Sequence, residues 1–294
     1  LTDRPRAVAL VTDSTAGIER LMPEIRCAVV PLTLEIDGAP YKEGANLSAA
    51  DFYRLLEVAG SPPVTLPPEV DEFVAVYEPL LAENDSVLSI HLSGELSRTV
   101  ERAREAAGRL GAGARIAVLD SRLAGAALGL LCLEADARLG RGDSLAETRS
   151  ALEGIIAGMR VYFSVYSLDF LYLGGRLDRV GVPGSRVAED RPILSLEHGK
   201  LVLVERVIGE TTRVDRMVEL VAAEFGESEP LTGAVSHAGR RGEAAAARLE
   251  ELLGGDGGRV DIALSLPLGP VLCAHTGFDV CGIAVYPSRL SAGR

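Results

Sequence analysis

Tryptophan is absent from this chain, and aromatic residues make up only 4% of its 294 positions. Stacking platforms for nucleobases or sugars are therefore in short supply, whereas an aliphatic ligand needs none. Cysteine is scarce as well: Cys27, Cys132, Cys273 and Cys281 lie far apart, without CxxC spacing. Three of them sit in apolar surroundings, in Arg26-Cys27-Ala28-Val29, Leu131-Cys132-Leu133 and Leu272-Cys273-Ala274, the setting of reduced core thiols. The four histidines are equally scattered and complete no metal-ligand pattern with them, so neither metal nor cofactor is expected. Positive charge is outweighed, with 30 Lys and Arg against 42 Asp and Glu and a net charge of -12. That balance argues against nucleic acid, because phosphate neutralisation needs clustered cations. It also disfavours general attraction to anionic membranes.

Long apolar runs are missing too. The longest, Leu123 to Leu133, falls far short of the ~20 residues that cross a bilayer. Leu1-Thr2-Asp3-Arg4 is too polar for a signal peptide. The expectation is a cytoplasmic protein with no integral membrane segment, limited to transient contact with a membrane surface. There is no GxxxxGK[ST] phosphate loop, no GxGxxG after a strand and no GxSxG elbow. The sequence gives no support for binding its own ATP or NAD, and a hydrolase would have to be atypical.

What is present is an alternation of strand and helix. Three apolar runs end in a polar turn and pass into a helix: Val8-Ala9-Leu10-Val11 into Thr12-Asp13-Ser14-Thr15, Ser86 to Ile90 into His91-Leu92-Ser93-Gly94, and Arg115 to Leu119 into Asp120-Ser121. In open α/β sheets ligands sit outside the carboxyl ends of strands, and helix N-termini offer amide donors. A polar crevice suited to a carboxylate or phosphate is expected there. An extended stretch, Ala28 to Ile36, closes at Asp37-Gly38, and Ser48 with Asp51 caps a helix. Further helices are expected over Glu69–Ala82, Arg98–Leu110, Ala124–Leu139 and Ser144–Met159.

The second half opens with a strand at Val161 to Val165 and a Gly- and Arg-rich segment from Gly174 to Arg186. A hairpin about Glu197-His198-Gly199-Lys200 follows, then helices over Thr212–Phe225 and Gly242–Leu253 and strands near Thr232–Ser236, Val260–Leu264 and Gly282–Val285. The expected architecture is two α/β domains, a parallel-sheet unit over residues 1–158 and a mixed-sheet unit over 159–294.

Chemistry concentrates at a few positions. His275 follows an apolar run and reads either as a structural histidine or as a strand-end residue facing the crevice, ready to pair with a carboxylate. Gly174-Gly175-Arg176 reads as a surface turn or as an Arg held to clamp an oxyanion. Ser93, before Gly94, reads as a helix cap or a ligand contact.

Taken in order, these segments resemble the DegV family of bacterial fatty-acid-binding proteins over nearly the whole chain. The likeness lies in Val11-Thr12-Asp13-Ser14-Thr15, Val30-Pro31-Leu32 with Ile36-Asp37-Gly38 and Tyr41, and Leu92-Ser93-Gly94. It continues through Asp120-Ser121, Leu171 with Gly174-Gly175-Arg176-Leu177, Pro192-Ile193-Leu194 with Gly199, His237-Ala238-Gly239 and His275-Thr276-Gly277. The resemblance implies a long acyl chain in a buried tunnel, its carboxylate at the interdomain crevice near Thr65, Ser93, Gly94, Arg176 and His275. Asp13, Ser14, Asp120, Ser121 and Thr276 would support that site. It also implies a partner, the catalytic subunit of an ATP-dependent fatty acid kinase, which phosphorylates the presented carboxylate, the carrier itself not being an enzyme. Arg179 and Arg206 read as contacts for that partner or as solvated surface. The family's TSQPS, LSGTY and HTGPG segments read here Thr65-Leu66-Pro67-Pro68-Glu69, Leu92-Ser93-Gly94-Glu95-Leu96 and His275-Thr276-Gly277-Phe278-Asp279, so the head-group surroundings differ. Two other readings compete: a Ser-dependent acyl hydrolase or transferase using Ser93, His275 and Asp13 or Asp120, and a lipid-responsive signalling module.

Overall fold

The computed structural model describes residues 7–18, 25–113, 115–177, 190–255 and 257–291. In chain order its elements are β1 (Val8–Asp13), β2 (Cys27–Val30), β3 (Thr33–Ile36), β4 (Ala39–Lys42), α1 (Ala49–Val58), β5 (Val64–Leu66), α2 (Val70–Glu83), β6 (Ser86–His91), α3 (Thr99–Arg109), β7 (Ile116–Asp120), α4 (Ala126–Arg141) and α5 (Leu145–Gly158). They continue with β8 (Arg160–Ser164), α6 (Asp169–Leu173), β9 (Asp190–Glu197), β10 (Lys200–Ile208), α7 (Glu210–Phe225), β11 (Leu231–Ala238), α8 (Gly239–Gly254), β12 (Val260–Pro267), α9 (Pro270–Thr276) and β13 (Val280–Pro287).

The N-terminal domain is built on a parallel sheet in the order β2-β1-β6-β7. All six residues of β1 are buried, as a central strand covered by helices on both faces requires. The C-terminal domain carries the mixed sheet β10-β9-β8-β13-β11-β12, antiparallel except where β11 pairs with β12. A small antiparallel sheet, β4-β3-β5, lies apart from both.

Local chemistry explains most boundaries. Ser48 accepts the Asp51 amide to start α1, and Ser144 with Glu147 forms a reciprocal capping box on α5. The extended stretch from Ala28 to Ile36 is not one strand. It breaks between β2 and β3, which join different sheets: Pro31 has no N–H to donate to a ladder, and the Leu32 amide is drawn to Ser14 Oγ at 3.0 Å. Helices α6 and α9 and strand β5 are additions to the periodic pattern, and His275 stands on a helix rather than at a strand end.

One apolar cluster runs through both domains. Leu10 of β1, Leu88 and Ile90 of β6, and Leu128 and Leu131 of α4 share it with Ala234 of β11, Leu264 and Leu266 of β12 and Tyr286 of β13. Helix α4, whose central residues are buried all round, packs on β1 and on β11 and β12 and so joins the two sheets. The four cysteines are free thiols, with Cys132, Cys273 and Cys281 buried.

Candidate functional site

The three polar strand ends of the first half are neighbours, because β1, β6 and β7 lie side by side. Their side chains, however, are engaged by the turns themselves. Asp13 accepts from Thr15 N at 3.1 Å, Thr15 Oγ1 at 2.6 Å and Leu92 N at 2.9 Å, and meets His91 Nδ1 at 3.1 Å. His91 Nε2 lies 2.7 Å from Ser89 Oγ, which lies 2.8 Å from the Tyr77 hydroxyl. This chain of polar groups is fully buried. Ser14 holds Leu32 N, Asp120 accepts from Gly94 N at 3.2 Å and Arg122 N at 2.9 Å, and Ser121 accepts from Leu123 N at 3.1 Å. Ser93 donates its hydroxyl to the Gly199 carbonyl at 2.8 Å, on the tip of the β9–β10 hairpin. That bond ties the end of β6 to the C-terminal domain.

Beside these turns lies a mainly apolar cavity whose space between atoms, counting the part open to solvent, is about 970 Å³. Leu32, Leu92, Leu96, Val161, Phe163, Leu171, Leu196, Leu201, Leu268, Val271, Leu272, Val280, Ile283 and Ala284 make most of its wall. Among the described residues the charged or titratable groups on it are Arg176 and His275, accompanied by Thr65, Thr276, Ser97 and Ser236. Thr65 Oγ1 and His275 Nε2 are 2.7 Å apart. Thr65 sits on β5, held against Leu34 of β3, and His275 sits near the end of α9. Arg176 follows α6 and is fastened by its own guanidinium, which donates to the Leu96 carbonyl at 3.3 Å and the Gly174 carbonyl at 2.5 Å.

The electrostatics follow from enclosure. Burial, with the neighbouring Arg176 cation adding to it, pushes the His275 pKa from its ordinary 6.5 to about 4, so the imidazole is neutral at pH 7. Burial also depresses the Arg176 pKa. His275 Nδ1 is a buried polar atom without a hydrogen-bond partner among the described residues. A partly desolvated cation, a neutral histidine and a threonine hydroxyl thus face one apolar space, an arrangement completed by an anion.

Of the residues singled out from sequence, the structure brings Thr65, Arg176, His275 and Thr276 to this cavity. Ser93, Gly94, Asp13, Ser14, Asp120 and Ser121 stand outside its lining, in the adjoining turns. His275 Nε2 faces Thr65 while the Ser93 hydroxyl is given to Gly199, so no Ser93–His275 hydrogen bond of a nucleophile and its base is present. Arg206 pairs with Asp190, and Arg179 lies outside the described residues. No group of His, Cys, Asp and Glu that could hold a metal occurs among the described residues, and no described helix is long and apolar enough to cross a membrane.

Fold and cavity together define a two-domain α/β protein whose parallel and mixed sheets adjoin a mainly apolar ligand space. The family model described as "Uncharacterised protein, DegV family" matches residues 7–288, and the chain belongs to the DegV family. A DegV domain-containing protein of Listeria monocytogenes is 31% identical over 280 residues, covering 94% of this chain and 97% of that one. A solved structure described as fatty acid binding of a DegV family protein from Thermus thermophilus is 31% identical, with a TM-score of 0.87 over 96% of this chain and 99% of that one. The structure of DegV from Bacillus subtilis, described as a fatty acid binding protein, is 30% identical, with a TM-score of 0.84 over 96% and 99% of the two chains.

Proposed function

We propose that this chain binds a long-chain fatty acid in the cavity and presents its carboxylate to a separate ATP-dependent fatty acid kinase. The observation that carries the reading is the division of the wall: an aliphatic interior, with Arg176, His275 and Thr65 grouped on it. Burying some sixteen carbons at ~0.8 kcal/mol each gives a gross gain of order 10 kcal/mol, reduced by ordering. A carboxylate carried in without partners would cost several kcal/mol, which Arg176, Thr65 and His275 offset. The fatty-acid-binding descriptions of the Thermus and Bacillus relatives support the same ligand class. The kinase role agrees with a chain that carries no phosphate-loop motif of its own. The protein is then a cytoplasmic carrier rather than an enzyme. Its division into residues 1–158 and 159–294 is supported by the mixed sheet beginning at Arg160, directly after α5.

Mass spectrometry of the purified protein, native and after solvent extraction, tests this directly. A stoichiometric fatty acid is expected. Protein that carries none and takes up neither palmitate nor oleate would overturn the carrier reading. A Ser-reactive fluorophosphonate probe should leave Ser93 unlabelled; stoichiometric labelling would favour the hydrolase.

Arg176→Ala should weaken palmitate binding by about ten- to a hundredfold while the far-ultraviolet circular dichroism is unchanged, as expected for loss of a charge-assisted contact. Unchanged affinity would remove Arg176 from the site. The pH dependence has a definite sign. The native His275 pKa lies below the unfolded one, so its contribution is unperturbed above pH ~6.5, and stability declines as pH falls toward about 4. At ~1.4 kcal/mol per unit the loss is roughly 3 kcal/mol. Denaturant midpoints measured from pH 7 to 4 should show this decline, and His275→Gln should flatten it. A bound carboxylate should raise the midpoint of His275 in nuclear magnetic resonance titrations.

A further inference from the structure

Glu43 is 4% exposed and does not line the cavity, yet it touches the element that carries His275. Its backbone amide donates to Leu32 O at 3.0 Å, one residue before β3. Its side-chain Oε1 accepts from Val271 N at 2.8 Å, in the first turn of α9. A carboxylate there satisfies an amide that has no partner within the helix and complements the positive end of the helix. The fit is close: a Cβ on Gly269, the residue before α9, would collide with Oε1. Position 269 thus has to be bare for the carboxylate to reach the helix.

The contact lies on the helix that carries His275. Helix α9 contributes Val271, Leu272, His275 and Thr276 to the cavity, while the facing β3–β5 sheet contributes Thr65 and Leu66. Helix and sheet are in contact. They are joined by hydrogen bonds at both ends of α9: Glu43 to Val271 at its start, and Thr65 to His275 at its end. Between them the Tyr53 hydroxyl of α1 meets Cys273 Sγ at 3.8 Å, a weaker link. Packing on α6 and burial of Val271, Cys273 and Ala274 hold the helix as a whole, so the bond at its start bears on its fine register, and the 2.7 Å Thr65–His275 approach does not survive a displacement of an ångström.

We propose that Glu43 is the positioning residue of the head-group site, setting the register of α9 against β5 so that Thr65 and His275 meet. The proposal rests on the fatty-acid reading of the cavity for its functional consequence, but not for its structural one.

The full chain, delipidated, with Glu43→Ala, Glu43→Asp and Glu43→Gln, tests it by two measurements: palmitate affinity by calorimetry, and the His275 titration midpoint by nuclear magnetic resonance without lipid. Gln keeps an acceptor oxygen within reach of Val271 N and should stay within about threefold of the unaltered protein, with its His275 midpoint. Asp, one methylene short, and Ala should each lose about tenfold or more in affinity. Their His275 midpoint should rise from about 4 toward 6.5 as the ring escapes its enclosure. Unaltered affinity and an unaltered midpoint in Asp and Ala, whatever their melting temperatures, would overturn the proposal. If the unaltered protein takes up no palmitate, the lipid reading falls, and the midpoints still decide the role of Glu43. Should the Ala protein fail to fold, the contrast between Asp and Gln decides between the two outcomes.

Discussion

Alanine at Gly174 is expected to weaken fatty-acid binding by roughly a hundredfold. The backbone itself would tolerate it, since φ at Gly174 is −74°. The space would not. The new Cβ would collide with His275 Nδ1 and lie 3.1 Å from the Phe170 carbonyl, and the carbonyl belongs to rigid backbone. The imidazole must therefore move, but its opposite nitrogen is already 2.7 Å from Thr65 Oγ1. Overpacking of this kind costs ~1–3 kcal/mol, and here the strain falls on the pair facing the ligand head group. Calorimetric titration with palmitate, alongside circular dichroism to confirm the fold, is the measurement. Wild-type affinity in Gly174→Ala would show that the placement of His275 has no part in binding.

Asp13→Ala should do its damage to stability instead, lowering the unfolding free energy by about 3–5 kcal/mol. Its two carboxylate oxygens serve Thr15 N, Thr15 Oγ1, Leu92 N and His91, all in a fully buried setting. Removing the carboxylate strands these groups together in a buried setting. Urea denaturation gives the number, with Asp13→Asn expected to fall between the alanine variant and the unaltered protein because one acceptor oxygen remains. A loss under about 1 kcal/mol would mean that the network is dispensable. Since Leu92 N is one of the donors, the same substitution also loosens the turn that holds Ser93.

These two residues show what could be read from the chain and what could not. The alternation of β6 and β7 with α3 and α4 is carried by apolar periodicity over whole elements, whereas the helix expected after β1 is, among the described residues, only a single turn at Ser14–Ala16. Periodic signals survive without tertiary knowledge. So do Ser48 and Ser144, whose capping partners lie three residues away. Asp13 is visible as a strand-end acid, but its hydrogen bonds to residues 91 and 92 come from a neighbouring strand, and sequence holds no trace of that pairing. Thr65 belongs to a three-residue strand flanked by prolines, too short to display alternation. Helix α9 has seven residues, about two turns, so Val271 to Ala274 looks like any buried run. A signal is there nonetheless: Pro270 at the first helical position and Gly277 just past the end are the expected punctuation. Glu43 offers no local signal, because its partner is 228 residues away in the chain.

The cavity also bears on how the protein stands up. Its wall takes Leu92, Ala127 and Ala284 from the apolar cluster shared by the two large sheets, and Leu32, Leu171, Val271 and Val280 from the cluster beneath the small sheet and α9. An acyl chain lodged there would be a shared keystone, touching both cores at once. Anything that binds the folded chain and not the unfolded one raises its stability with the logarithm of its concentration. On the proposed fatty-acid reading, lipid supply and melting temperature become two readings of a single quantity: the more fatty acid the surroundings hold, the higher the temperature at which this protein unfolds.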